Sequence, residues 1–125
     1  PGTEIYVDAE SHVVHSEVAG AAALCGVQVR PVRASGLVMN AADLEAHVRT
    51  PTADAPEASL VCMENTHNGA GGVVTPLDAL RAIRAVAQRL GLPMHLDGAR
   101  LWNAAAASGT PIEAFAACAD TVMVS

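Results

Sequence analysis

Thr75-Pro76-Leu77-Asp78-Ala79-Leu80-Arg81-Ala82-Ile83-Arg84-Ala85-Val86-Ala87-Gln88-Arg89-Leu90-Gly91-Leu92-Pro93-Met94-His95-Leu96-Asp97-Gly98 is the stretch whose reading decides the fold. It predicts a helix from Pro76 to Leu90. Thr75 can cap that helix, Pro76 suits its first position because the N–H it lacks has no partner there, and Asp78 adds negative charge to the first turn. Leu77, Leu80, Ile83 and Ala87 follow helical spacing and form one apolar face. Gly91 closes the helix and Pro93 blocks its continuation. Met94–Leu96 is then the core of a strand that ends in the polar Asp97-Gly98.

Outward from this segment the same alternation repeats. Ser59–Met63 is a continuous apolar run ending in Glu64-Asn65-Thr66-His67, and Ile5–Val7, Val27–Val32 and Thr121–Val124 are further strands. Continuous rather than alternating apolar character suits strands covered on both faces. Helices are expected over Glu17–Leu24, from Asn40 and Asp43 through Val48, over Arg100–Ser108 and over Ile112–Cys118. Thr50–Ala58, with two prolines, reads as a polar connection. Strands alternating with helices give one α/β unit, a mainly parallel sheet with flanking helices.

Composition narrows the function. Seven basic against 13 acidic residues leave a net charge of −6, so the chain offers no basic surface for nucleic acid or an anionic membrane. No apolar run reaches the roughly 18 residues of a membrane span. Pro1-Gly2-Thr3-Glu4-Ile5 has neither region of a signal peptide, so a cytoplasmic location is expected. Cys25, Cys62 and Cys118 are far apart and read as buried, reduced thiols. All seven basic residues are arginines, so no lysine amine is available on these 125 residues. The absence of an initial methionine reads as a piece of something longer.

Ligands of open parallel sheets sit beyond the carboxyl ends of the strands, and three polar clusters fall there. Asp8-Ala9-Glu10-Ser11-His12 follows the first strand. Glu64-Asn65-Thr66-His67-Asn68, with Gly69, Gly71 and Gly72, follows the third. Asp97-Gly98-Ala99-Arg100 ends the fourth. Parallel neighbours would let His12, His67, Asp97 and Arg100 converge on one crevice. Asp97 reads either as a cap for the next helix or as the partner of a buried cation, because a buried carboxylate needs compensation. His95 reads as structural, sharing the face of Asp97 only if the strand is irregular. His47 reads as a solvated helix residue, and His15 is left open. The glycines match neither a P-loop nor a dinucleotide fingerprint and read as a close backbone turn. His12, His15 and Cys62 lack zinc-site spacing, so no metal is expected.

Glu64-Asn65-Thr66-His67-Asn68 with Ala70-Gly71-Gly72, then His95-Leu96-Asp97-Gly98-Ala99-Arg100-Leu101-Trp102-Asn103, strongly resembles the low-specificity threonine aldolases. These belong to the β-eliminating lyase group of fold-type I pyridoxal-phosphate enzymes. Ser11-His12-Val13-Val14-His15-Ser16-Glu17, with Gly20-Ala21, is similar to that family's cofactor-stacking segment. The resemblance implies that residues 1–125 are the central part of the pyridoxal-phosphate-binding large domain. It implies that His12 stacks on the cofactor ring, that Asp97 pairs with the protonated ring nitrogen, and that Arg100 lies beside the cofactor and holds the substrate carboxylate. Glu17 would support the site. His67 would sit near the substrate's β-hydroxyl as general base or through a water, which with His12 makes up the implied catalytic pair.

The implied reaction is retro-aldol cleavage of threonine or allo-threonine to glycine and an aldehyde. The family's Schiff-base lysine, N-terminal phosphate-binding turn and C-terminal small domain have no counterpart in the chain, so the fragment alone is expected to be inactive. A tetramer or dimer is expected of the full-length protein, with a small amino acid as its only other partner. Another fold-type I lyase, an aminotransferase, or a non-catalytic α/β binding module are the alternatives.

Overall fold

The computed structural model describes residues 1–50 and 52–125. Pro51, within the expected Thr50–Ala58 connection, lies outside the described residues. Five strands, β1 (Thr3–Asp8), β2 (Gln28–Val32), β3 (Glu57–Glu64), β4 (Met94–Asp97) and β5 (Thr121–Met123), form one sheet in the order β2-β1-β3-β4-β5. Every pairing is parallel. The order reverses between β1 and β3, which makes their carboxyl ends the switch point where parallel sheets open a crevice.

Six helices connect the strands: α1 (His12–His15), α2 (Gly20–Cys25), α3 (Ala41–His47), α4 (Leu77–Arg89), α5 (Leu101–Ser108) and α6 (Ile112–Ala116). In α3, Asn40 Oδ1 accepts from the N–H groups of Ala42 and Asp43, and Asp43 Oδ2 accepts from the N–H of Asn40, a reciprocal capping box. At α4 the cap position belongs to Pro76 and no side chain caps it, so Thr75 does not play the expected role. Thr75 is instead buried, and its backbone is fastened to the Asn65 side chain. Gly91 adopts φ +70° and ends α4 as its sequence position suggests.

The expected Glu17–Leu24 helix is shorter than its pattern. Val18 and Ala19 take left-handed φ values of 52° and 57°, so α2 starts only at Gly20, and a separate turn, α1, precedes it. Left-handed backbone is costly for a β-branched residue. The Ala-rich periodicity across residues 17–24 carries no sign of that break.

Side chains alternate across the sheet, and the two faces differ. Tyr6, Val61, Met63, Met94 and Leu96 join Leu44 of α3, Leu80, Ile83, Val86 and Ala87 of α4, and Phe115 of α6 in one core. Each fully buried large apolar side chain contributes about 1.5–3 kcal/mol. Cys62, His95 and Asp97 lie on the opposite face and are only half-buried. There α1 and α2 stand over the sheet without one buried residue of their own. Coverage on both faces, expected from continuous apolar runs, therefore holds for one face and, on the other, for β1, where Ile5 and Val7 are buried, and gives way to a cleft over β3 and β4. Among the described residues no helix is long and apolar enough to cross a membrane.

Candidate functional site at the carboxyl ends of the strands

The open face carries a cleft of about 390 Å³ lined by Val13, Glu17, Ala21, Cys62, His95 and Asp97 among others. β4 is regular, and residues two apart on a strand share a face. His95 and Asp97 therefore point the same way, and His95 belongs to the cleft wall, where its Nδ1 lies 2.8 Å from Thr121 Oγ1. The expectation that only an irregular strand would place them together inverted the period of two. Cys62 sits between the two faces' demands. Burial, reinforced by the negative fields of Asp97 and Glu64, pushes its thiol up to about 12. Cys25 is exposed and only Cys118 is buried, so the expectation of three buried thiols holds for one.

Asp97 ends β4 with Oδ1 accepting the N–H of Ala99 at 3.1 Å. The N-cap of α5 is Arg100, with no side-chain cap, so Asp97 supports a turn rather than a helix end. Among the described residues no cation lies in ion-pair range of Asp97. Gly98 is required beside it: a Cβ there would meet Met123 O at 2.7 Å.

His12 opens α1, and its Nε2 lies 3.2 Å from Glu17 Oε1. Its Nδ1 is buried without a hydrogen-bond partner. The His12 ring lines a smaller pocket of about 240 Å³ with Ser11, His15, Asn68 and Gly69, while Glu17 links it to the Asp97 cleft. Arg100 is 40% exposed, with Nη1 3.8 Å from Glu64 Oε1.

His67 is placed differently from the other candidates. It is fully buried, its Nδ1 accepts the N–H of Ala70 at 3.2 Å, and its Nε2 lies 3.4 Å from Asp8 Oδ1, off line for a well-formed hydrogen bond. The Asp8 carboxylate raises the His67 pKa above its ordinary value, and burial works against that rise. The structure thus sets Asp97 and Glu17 on the cleft wall, His12 in the smaller pocket with its ring against Glu17, Arg100 beside Glu64, and His67 in the interior against Asp8. The expected convergence of all four on one crevice is not seen: of the four only Asp97 lines the cleft, and His67 is turned away because its loop folds back on β1. Gly69 enforces this: a Cβ on it would lie 2.2 Å from Glu10 O.

Asp8 and Glu64, which the strand-end clusters contain without either being singled out as a candidate, are buried carboxylates. Both are polar residues ending apolar strands, which was the only available signal. No cluster of His, Cys, Asp or Glu able to hold a metal occurs among the described residues.

The model of the beta-eliminating lyase family matches residues 1–125, the whole chain. The chain belongs to the beta-eliminating lyase family. A relative from Arabidopsis thaliana named probable low-specificity L-threonine aldolase 2 is 34% identical over 126 residues, covering 98% of this chain and 36% of its own length. A protein of Cochliobolus carbonum named alanine racemase TOXG is 38% identical over 122 residues, covering 96% of this chain and 31% of its own. The solved threonine aldolase of Leishmania major superposes with a TM-score of 0.85 at 23% identity, over 97% of this chain and 36% of that one, and so shares the fold. The chain spans about a third of the length of the curated relatives it matches. Members of this lyase family depend on pyridoxal phosphate.

Proposed function

We propose that this chain forms part of an enzyme that cleaves threonine or allo-threonine to glycine and an aldehyde with pyridoxal phosphate. The observation that carries the reading is Asp97: a strand-end carboxylate on a cleft wall, with one backbone hydrogen bond and no cation beside it. Such a group suits a protonated pyridine nitrogen, and the orphaned Nδ1 of His12 nearby suits a further polar partner. Pyridoxal phosphate, when bound, supplies a sink for the electron pair left at Cα as the bond to Cβ breaks. Asp97 would keep the proton on the ring nitrogen. Arg100 would bind the substrate carboxylate, which its planar fork can grip with two hydrogen bonds. His12, with its Nε2 steadied by Glu17, is the half-exposed imidazole positioned to take the β-hydroxyl proton. His67 would contribute from behind, holding the Asp8 and Asn68 loops in register. The amine that family members need for the cofactor would come from elsewhere in the whole protein, since residues 1–125 hold no lysine.

The test compares the whole protein with its Asp97→Asn variant, adding pyridoxal phosphate and following visible absorbance together with glycine and aldehyde release. Retained folding with about a hundred-fold or greater loss of aldehyde release is expected when the ring nitrogen loses its anionic partner, a loss of roughly 3 kcal/mol. Full activity in Asp97→Asn would refute the assignment. The relative named alanine racemase favours a second reading, exchange of the Cα proton of alanine. Racemised alanine without glycine from threonine would establish it.

A further inference from the structure

Beyond the residues assigned above, we propose that Glu64 is a positioning residue that sets both His12 and Arg100, an inference resting on the proposed reaction. Its carboxylate is buried, 4% exposed, at the end of β3. Oε2 accepts the N–H of His12 at 2.8 Å, across 52 residues of chain, and fixes where α1 begins. Oε1 accepts the N–H of Asn68 at 2.9 Å and faces Arg100 Nη1 at 3.8 Å. One side chain thus ties together the segments that follow β1, β3 and β4. Its backbone anchors the same junction, because the neighbouring Asn65 N–H donates to Asp97 O at 3.0 Å.

The geometry explains why α1 stays in place without a buried residue of its own. Val13 and Val14 are only half-buried, so apolar packing alone does not hold His12–His15 down. The Glu64 bond to the His12 amide and the His15 Nε2 contact with Ala9 O, 2.9 Å, do so together with it. The same charge gives Arg100 a direction: without an anion at 3.8 Å, a 40% exposed guanidinium would sample solvent. Glu64 is buried with its oxygens turned to the His12 and Asn68 N–H groups and to Arg100, so it acts through these segments and not on the substrate.

The experiment uses the whole protein and its Glu64→Gln, Arg100→Ala and doubly substituted forms. Gln keeps the shape but removes the charge and presents a single carbonyl where two N–H groups are held. Amide hydrogen exchange, measured before cofactor is added, should accelerate about ten-fold at His12 and Asn68 and stay unchanged in β1 and β3, as loss of one charge-assisted hydrogen bond dictates. With cofactor, KM for the amino acid should rise about ten-fold as Arg100 loses its direction, and kcat should fall as well because His12, the proposed base, loses its place. Arg100→Ala should then add little to Glu64→Gln, because the orientation it would remove is already gone. Unchanged exchange at His12 overturns the hold on α1, and KM losses that multiply overturn the hold on Arg100. If Glu64→Gln does not fold, Glu64→Asp, which keeps the charge on a shorter arm, carries the same comparison. Absence of cofactor binding and cleavage in the unsubstituted protein would sink the proposed reaction, and the exchange rates would still decide the positioning of His12.

Discussion

Replacing Asp8 by Asn removes the charge from a pair held in the interior, where Asp8 and His67 side chains are 4% and 1% exposed. Asp8 Oδ2 accepts the N–H of Met39 at 2.5 Å and Oδ1 accepts that of Glu10 at 2.9 Å, with His67 Nε2 3.4 Å from the same Oδ1. Asparagine has one oxygen, so its NH₂ must face either the Met39 N–H or the Glu10 and His67 side. A buried donor left without an acceptor costs about 1–3 kcal/mol. Breaking a buried ion pair from one side costs about 3–5 kcal/mol. The off-line geometry of the His67 contact puts this pair at the weaker end, about 3 kcal/mol, a large share of the roughly 5–15 kcal/mol that holds a domain together.

The pH dependence supplies the sharper test. The His67 pKa is raised above the ordinary 6.5, first by the Asp8 carboxylate, so its contribution is complete below that value and fades as pH rises through the folded pKa. For Asp8, burial pushes the carboxyl up, but the hydrogen-bonding partners His67, Glu10 N–H and Met39 N–H outweigh it and leave it below 3.8. Its contribution is present above that value and fades as pH falls through the folded pKa. Urea unfolding of the protein should therefore show this pair at full strength between about pH 4 and 6.5. Asp8→Asn should lower stability by about 3 kcal/mol inside that window and remove the decline above it. A loss below about 1 kcal/mol, or an alkaline decline that survives the substitution, would show that the pair is not coupled as its geometry requires.

Gly69→Ala should cost about 1–3 kcal/mol in a thermal or urea melt, because its Cβ would have to displace the Glu10 carbonyl 2.2 Å away; an unchanged melt would mean that the two loops part freely. At pH 8 iodoacetamide should label the exposed Cys25 and spare Cys62, whose thiol is held up at about 12, as peptide mass spectrometry would register; equal labelling would refute that environment.

The fold was legible because each element announced its own limits. Asn40 and Asp43 spell a capping box, Gly91 and Pro93 end α4, and the apolar runs of β3 and β4 stop at charged residues. Val18 and Ala19 were illegible for the opposite reason, since neither residue type signals a left-handed backbone. At the site, sequence order placed His12, Asp97 and Arg100 at neighbouring strand ends, where the sheet indeed brings them. It could not say which way the loop after β3 turns. That turn depends on Gly69 lying against the Glu10 backbone, a contact 59 residues apart in the chain with no local trace, and it decides that His67 faces Asp8 rather than the cleft.

Three adjacent strands, β1, β3 and β4, each end in a carboxylate, and their surroundings assign them different work. Asp8 is met by two backbone N–H groups and the His67 ring, all within the interior. Glu64 is met by two backbone N–H groups and the Arg100 guanidinium. Asp97 is met by one backbone N–H alone and stands on the wall of the cleft. Buried negative charge that is already matched is structural, and further cation beside it would gain little. Charge left unmatched at the mouth of a cleft is where an incoming cation gains most. The first two carboxylates have been given partners from the chain, which leaves Asp97, among the described residues, as the strand-end charge free for a ligand. A protonated ring nitrogen would complete at β4 what His67 and Arg100 complete at β1 and β3.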